Sequence, residues 1–127
     1  MKKIIALLLV LGMMFTLCGC GKKVPEHLSA ETYKLGNEAL KYMDDYLNGK
    51  LDFDKAKEKL SEIEDSLLNI VIVPDPNSEN FANENIQSSN NSIVWLWVSH
   101  FGLGMYEVDE RFDCQEARDK LYEMLNK

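Results

Sequence analysis

Basic residues, histidine and paired cysteines are all scarce in this chain of 127 residues. Lys and Arg number 14 against 21 Asp and Glu, a formal charge of −7, so no cationic surface recommends nucleic acid as a partner. Two histidines and three cysteines, with no cysteine pair outside the first twenty residues, fall short of the sets that hold zinc. The same shortage excludes a disulfide-stapled miniprotein. Long hydrophobic runs are missing too. The longest, Ile4 to Leu17, has 14 residues, whereas a helix crossing the hydrocarbon core takes about 20. That removes a polytopic membrane protein, and the total length leaves room for one compact domain rather than a multidomain enzyme.

What is present begins at the N-terminus. Met1-Lys2-Lys3 followed by the short apolar run has the basic n-region and h-region of a secretory signal. Leu17-Cys18-Gly19-Cys20 comes next, with an aliphatic residue at −3 and a small residue at −1 of a cysteine. Residues 1–21 thus resemble the signal peptide of bacterial lipoproteins, with its lipobox. The resemblance implies a diacylglyceryl group on the Cys20 sulfur, cleavage between Gly19 and Cys20, and a lipid anchor on the extracytoplasmic face of the cell membrane. Cys18 is the poorer acceptor because Leu17 occupies its −1 position, and as the −2 residue of Cys20 it departs from the commonest Ala, Ser or Thr. The alternatives are an ordinary cleaved signal or an uncleaved anchor. Two acyl chains hold a protein far more firmly than one, at about 0.8 kcal/mol per buried CH₂.

These boundaries divide the chain into a signal peptide at 1–19, a lipidated cysteine with a short tether at 20–26, and a domain at 27–127. Loss of Lys2 and Lys3 takes the 14 bases to 12 against 21 acids, a formal charge of −9. A surface that acidic is expected to stand off from anionic lipid and rely on the acyl anchor. Only Lys22 and Lys23 adjoin the anchor, at about 1 kcal/mol each against headgroups. Cys114 would be the only free thiol.

Beyond the tether the periodicity is helical, and the fold class it predicts is all-α, a small antiparallel bundle of about four helices. Leu28, Thr32, Leu35, Ala39, Met43, Tyr46 and Leu47 share one helix face, with Ser29 as N-cap and the pair Asn48-Gly49 as the stop. A second stripe, Phe53, Ala56, Leu60, Ile63, Leu67 and Ile70, follows the N-cap Asp52. The short join makes an αα-hairpin of the two. Ile70 to Val73 runs into Pro74, which biases its predecessor to extended geometry and ends the helix near Asn69–Val71. Residues 75–80 read as a turn-rich loop. The Asn-rich stretch up to Asn91 reads either as a loop or as the exposed first turns of a third helix.

Ser92 to Tyr106 is the most apolar stretch after the signal. As a helix capped by Ser92 it puts Ile93, Val94, Trp97, Phe101 and Gly104 on one face. Its β-branched and aromatic content suits a strand as well, but a lone strand among helices has no partner to pair with. Asp113 with Glu116 forms an N-terminal capping arrangement for a last helix whose stripe is Cys114, Ala117, Leu121, Met124 and Leu125.

Chemistry is thin. Cys114 near a helix N-terminus is the one credible nucleophile, with His100 the base it would need, yet Cys114 also lies on the core stripe. Asp75-Pro76-Asn77-Ser78-Glu79 imitates the start of a calcium loop but has Asn80 at the glycine position and Ile86 at the bidentate position. Asp109 to Asp113 fails likewise at Lys120. Glu62, Glu64 and Asp65 form a solvated acidic face, and Tyr42 and Tyr46 a half-buried core edge. No metal and no cofactor is implied. Trp95 and Trp97, at i and i+2, cannot share a helix face. With Trp97 in the core, Trp95 turns about 200° away and faces solvent or a partner; in a fully enclosed third helix both rings are inside. Gly102 and Gly104 permit close helix approach in either case.

The function expected is therefore non-catalytic: a small lipoprotein that binds or modulates another envelope protein, with Trp95 as a contact residue. The alternatives are an immunity- or exclusion-type lipoprotein, and a binder of a small hydrophobic ligand beneath Trp97 and Phe101. A two-lobed transport receptor does not fit the length.

Overall fold

The computed structural model describes residues 23–127; the lipobox, with Gly19 and Cys20, lies outside the described residues. Four helices and no strand occur among the described residues: α1 (Ala30–Leu47), α2 (Phe53–Leu68), α3 (Phe81–Gly104) and α4 (Cys114–Leu125). The fold is an all-α bundle.

Three of the four helices start on a side-chain cap legible in the sequence. The Ser29 hydroxyl accepts from the Thr32 N–H at 3.1 Å, Asp52 from Lys55 N–H at 2.9 Å and Asp113 from Glu116 N–H at 2.7 Å. Each satisfies one of the amide donors that a first helical turn leaves free. Gly49, at φ 73°, turns the chain between α1 and α2 in the left-handed region that favours glycine.

Helix α3 starts earlier than Ser92, at Phe81, and its polar first half is built in rather than loose. Amides of that half reach back to carbonyls of other elements. Gln87 donates to Glu26 O at 3.1 Å, Asn90 to His27 O at 2.8 Å, and Asn91 to Leu67 O at 3.1 Å. The Asn91 side-chain oxygen accepts from the hydroxyl of Thr32, a fully buried residue, at 2.8 Å. These side chains look like loop formers because they hydrogen-bond backbone readily. Here the backbone they bond belongs to other elements. The Glu84 carboxylate adds a link to the preceding loop, accepting from Asp75 N–H and the Ser78 hydroxyl.

Helix α1 packs against all three others, and α2 and α4 flank the α1–α3 pair without touching each other. The core lies between them, with Met43, Leu60, Leu67, Phe101 and Leu121 fully buried; a side chain of this size contributes about 1.5–3 kcal/mol on full burial. The face that α3 turns inward differs from the expected one. Val94, Val98 and Phe101 are buried, whereas Ile93 is 38% exposed and Trp97 only half-buried. The second half of α3 is apolar on nearly every side, so its rotation is fixed by the amide hydrogen bonds of the first half and by packing against the other helices. Two small residues bring the helices close. A Cβ on Gly36 would stand 2.7 Å from the Leu125 side chain, and one on Gly104 would stand 3.0 Å from the Phe112 carbonyl.

Residues at the start of the described chain are docked, not free. Leu28 is buried and its N–H donates to Pro25 O at 3.1 Å. His27 Nε2 lies 2.8 Å from Met124 O, at the end of α4.

Candidate functional site

An apolar concavity runs between the end of α2, the extended segment after it, and the outer side of α3. It is an open groove of about 640 Å³ bordered by Leu68, Ile70, Val71 and Ile72 on one side and by Ile93, Trp95 and Leu96 on the other. The sequence explains each wall. Pro74 keeps residues 70–73 from extending α2, so this apolar run leaves the helix and lies along the bundle with Leu68 63% and Val71 80% exposed. The i, i+3 spacing of Ile93 and Leu96 then places them side by side on α3. Here large apolar side chains are exposed together, rather than scattered singly as most are on a protein surface.

Trp95 meets neither of the two arrangements its spacing allowed. Its ring is half-buried, packed against the core on one side and lining the groove on the other. The Trp95 indole N–H is enclosed and has no acceptor. Trp97 is half-buried as well, 5.4 Å from the His100 ring, which in turn meets Phe112 edge-on at 5.0 Å. The groove was not legible in the sequence, since its walls come from Leu68–Ile72 and from α3, and only tertiary packing makes them neighbours.

No hydrogen bond joins Cys114 to His100 among the described residues. The Cys114 sulfur donates to the Phe101 carbonyl at 3.4 Å, and His100 is stacked among aromatic rings. Burial pushes the Cys114 thiol up to about 11, helped by the negative charges of Asp113 and Glu107. A reactive thiolate needs the opposite setting, a nearby cation or an exposed helix N-terminus. Among the described residues no three His, Cys, Asp or Glu side chains converge as metal ligands. Tyr46 packs edge-on against Phe101 at 6.0 Å, at the core edge where its spacing from Tyr42 puts it.

Other ionisable groups serve the scaffold. Arg118 of α4 grips Asp44 of α1 through two hydrogen bonds of 2.7 and 3.2 Å and lies 5.1 Å over the Tyr122 ring. Glu64, half-buried on α2 beside Gly102 of α3, has its carboxyl raised by burial, against the pull of Lys57. No described helix is long and apolar enough to cross a membrane. No protein-family model, curated protein or solved structure matches the chain.

Proposed function

We propose that this protein is a bacterial envelope lipoprotein, anchored through Cys20, whose bundle is non-catalytic and binds a segment of another envelope protein in the groove beside Trp95. The observation that carries the binding half is the apolar groove itself, with Leu68, Val71 and Leu96 exposed around a half-buried tryptophan. Its length along α3 and its open side suit an extended or helical polypeptide rather than a small ligand, which is commonly enclosed over most of its surface. The anchoring half rests on Leu17-Cys18-Gly19-Cys20 after the basic start and short apolar run. An immunity- or exclusion-type role is a special case in which the bound segment belongs to an incoming factor.

Crosslinking in intact cells followed by pull-down tests the binding half, with Leu68→Asp and Val71→Asp as the controls. Both residues face solvent, so the bundle keeps its melting temperature while recovery of a specific partner falls about tenfold, the effect of ~1.4 kcal/mol. Recovery indifferent to both changes overturns the groove as the binding site. The anchoring half is tested by Cys20→Ala, which is expected to abolish detergent-phase partitioning. Partitioning that survives the change means an uncleaved anchor or another acceptor.

A further inference from the structure

The segment between α2 and α3 joins an apolar run to an unpaired backbone. Ile70 to Val73 lies outside every helix, and exposure alternates along it. Ile70 and Ile72 are half-buried, whereas Val71 and Val73 are 80 and 78% exposed. A two-residue period is that of a β-strand, and Ile and Val are the residues that favour one. No strand among the described residues is there to pair with it. Val71, Ile72 and Val73 make no backbone hydrogen bond with other described residues, while the Ile70 N–H donates to Leu67 O at 3.3 Å. Alternate residues of a strand direct their N–H and C=O to the same edge. Val71 and Val73 therefore share an edge whose groups are all unpaired, and Pro74, which has no N–H, ends it.

Charge frames the groove beside this segment with a single sign. From Ser61 to Leu96, the stretch that supplies both walls, there are six Asp and Glu and no Lys or Arg. Asp65 lies one turn before Asn69 at one end of the segment. Asp75 and Glu84 stand together at the other, where the Glu84 carboxylate accepts from the Asp75 N–H.

We infer that the groove takes an extended stretch of the partner chain, which pairs with Val71 and Val73 as an added β-strand and carries Lys or Arg on both sides of an apolar centre. The inference rests on the groove proposed above and names the conformation and charge of what fills it. An extended backbone supplies the donors and acceptors that an unpaired edge lacks; a helix spends its own internally. Basic flanks meet the carboxylates at the two ends. A second copy of this chain, at formal charge −7, would bring more carboxylates instead.

The probe is a ten-residue peptide of alternating Val and Thr with two Lys at each end, titrated into the full chain as cells process it. Binding is expected to change tryptophan fluorescence and to slow amide hydrogen exchange at Val71 and Val73. Val71→Pro removes one pairing N–H from an exposed position and should weaken binding at least about tenfold. Val71→Thr keeps both the N–H and the β-branch and should bind as the wild type does, and equal melting temperatures for the two variants show that folding is not the cause. Exchanging the four Lys for Glu should also weaken binding at least about tenfold. Equal binding by Val71→Pro and Val71→Thr overturns the inference. So does tighter binding of a peptide with the same flanks stapled into a helix; both results leave the groove itself standing. Failure of either peptide to bind overturns the inference too, while the groove is judged separately by Leu68→Asp in the pull-down.

Discussion

Cys114 is kept a thiol by its surroundings: a carbonyl receives its proton, and burial with two neighbouring acids opposes its ionisation. Its pKa of about 11, above a thiol's usual 9.0, has two measurable consequences. Alkylation of the folded protein at neutral pH is expected to run about a hundredfold slower than that of a free thiol, in proportion to the missing thiolate. A group whose pKa is raised by folding stabilises the native state below its unfolded pKa and loses that contribution as pH rises through the folded one. Stability should therefore decline as pH rises from 9.0 towards about 11, and Cys114→Ala should flatten that decline in a denaturant titration. Glu64 follows the same sign at lower pH, because burial raises its carboxyl. It opposes folding at neutral pH, so Glu64→Gln is expected to stabilise the protein at pH 7 by less than about 1 kcal/mol, the discount that partial exposure imposes. The gain should vanish in acid, below the ordinary carboxylate range.

At the scale of the elements, the caps and the close approaches carry the testable content. Asp52→Ala removes the acceptor for Lys55 N–H and is expected to cost about 1 kcal/mol of unfolding free energy. Gly104→Ala drives a methyl group against the Phe112 carbonyl and the start of α4. Backbone cannot swing aside as a side-chain tip can, so the cost should be about 1–3 kcal/mol. Gly36→Ala meets only the movable end of Leu125 and should cost less. Calorimetry on the three variants ranks them. The caps at Ser29, Asp52 and Asp113 were readable because a capping side chain and its amide lie within a few residues of each other. The start of α3 was not. Gln87, Asn90 and Asn91 bond carbonyls of Glu26, His27 and Leu67, partners far away in sequence that no local pattern records.

Over the whole molecule, the half-buried relay from Thr32 through Asn91 to Leu67 ties the start of α1, the middle of α3 and the end of α2 into one corner. Asn91→Ala removes the acceptor of the Thr32 hydroxyl and one of the donors to the Leu67 carbonyl, leaving them the Ser29 hydroxyl at 2.7 Å and the Ile70 N–H at 3.3 Å. Loss of these two hydrogen bonds is expected to cost about 1–3 kcal/mol, read as a lowered denaturation midpoint with the slope unchanged. The amino-acid sequence alone determined the acidic balance, the helical class and three of the four helix starts. Each of these depends on composition or on neighbours within a turn or two. The rotation of α3, the half-burial of both tryptophans and the groove beside Trp95 were decided only by tertiary structure. From Ile93 to Gly104 helix α3 carries apolar side chains on nearly every side, so periodicity marks its inward face only weakly, and the packing of the neighbouring helices selects it.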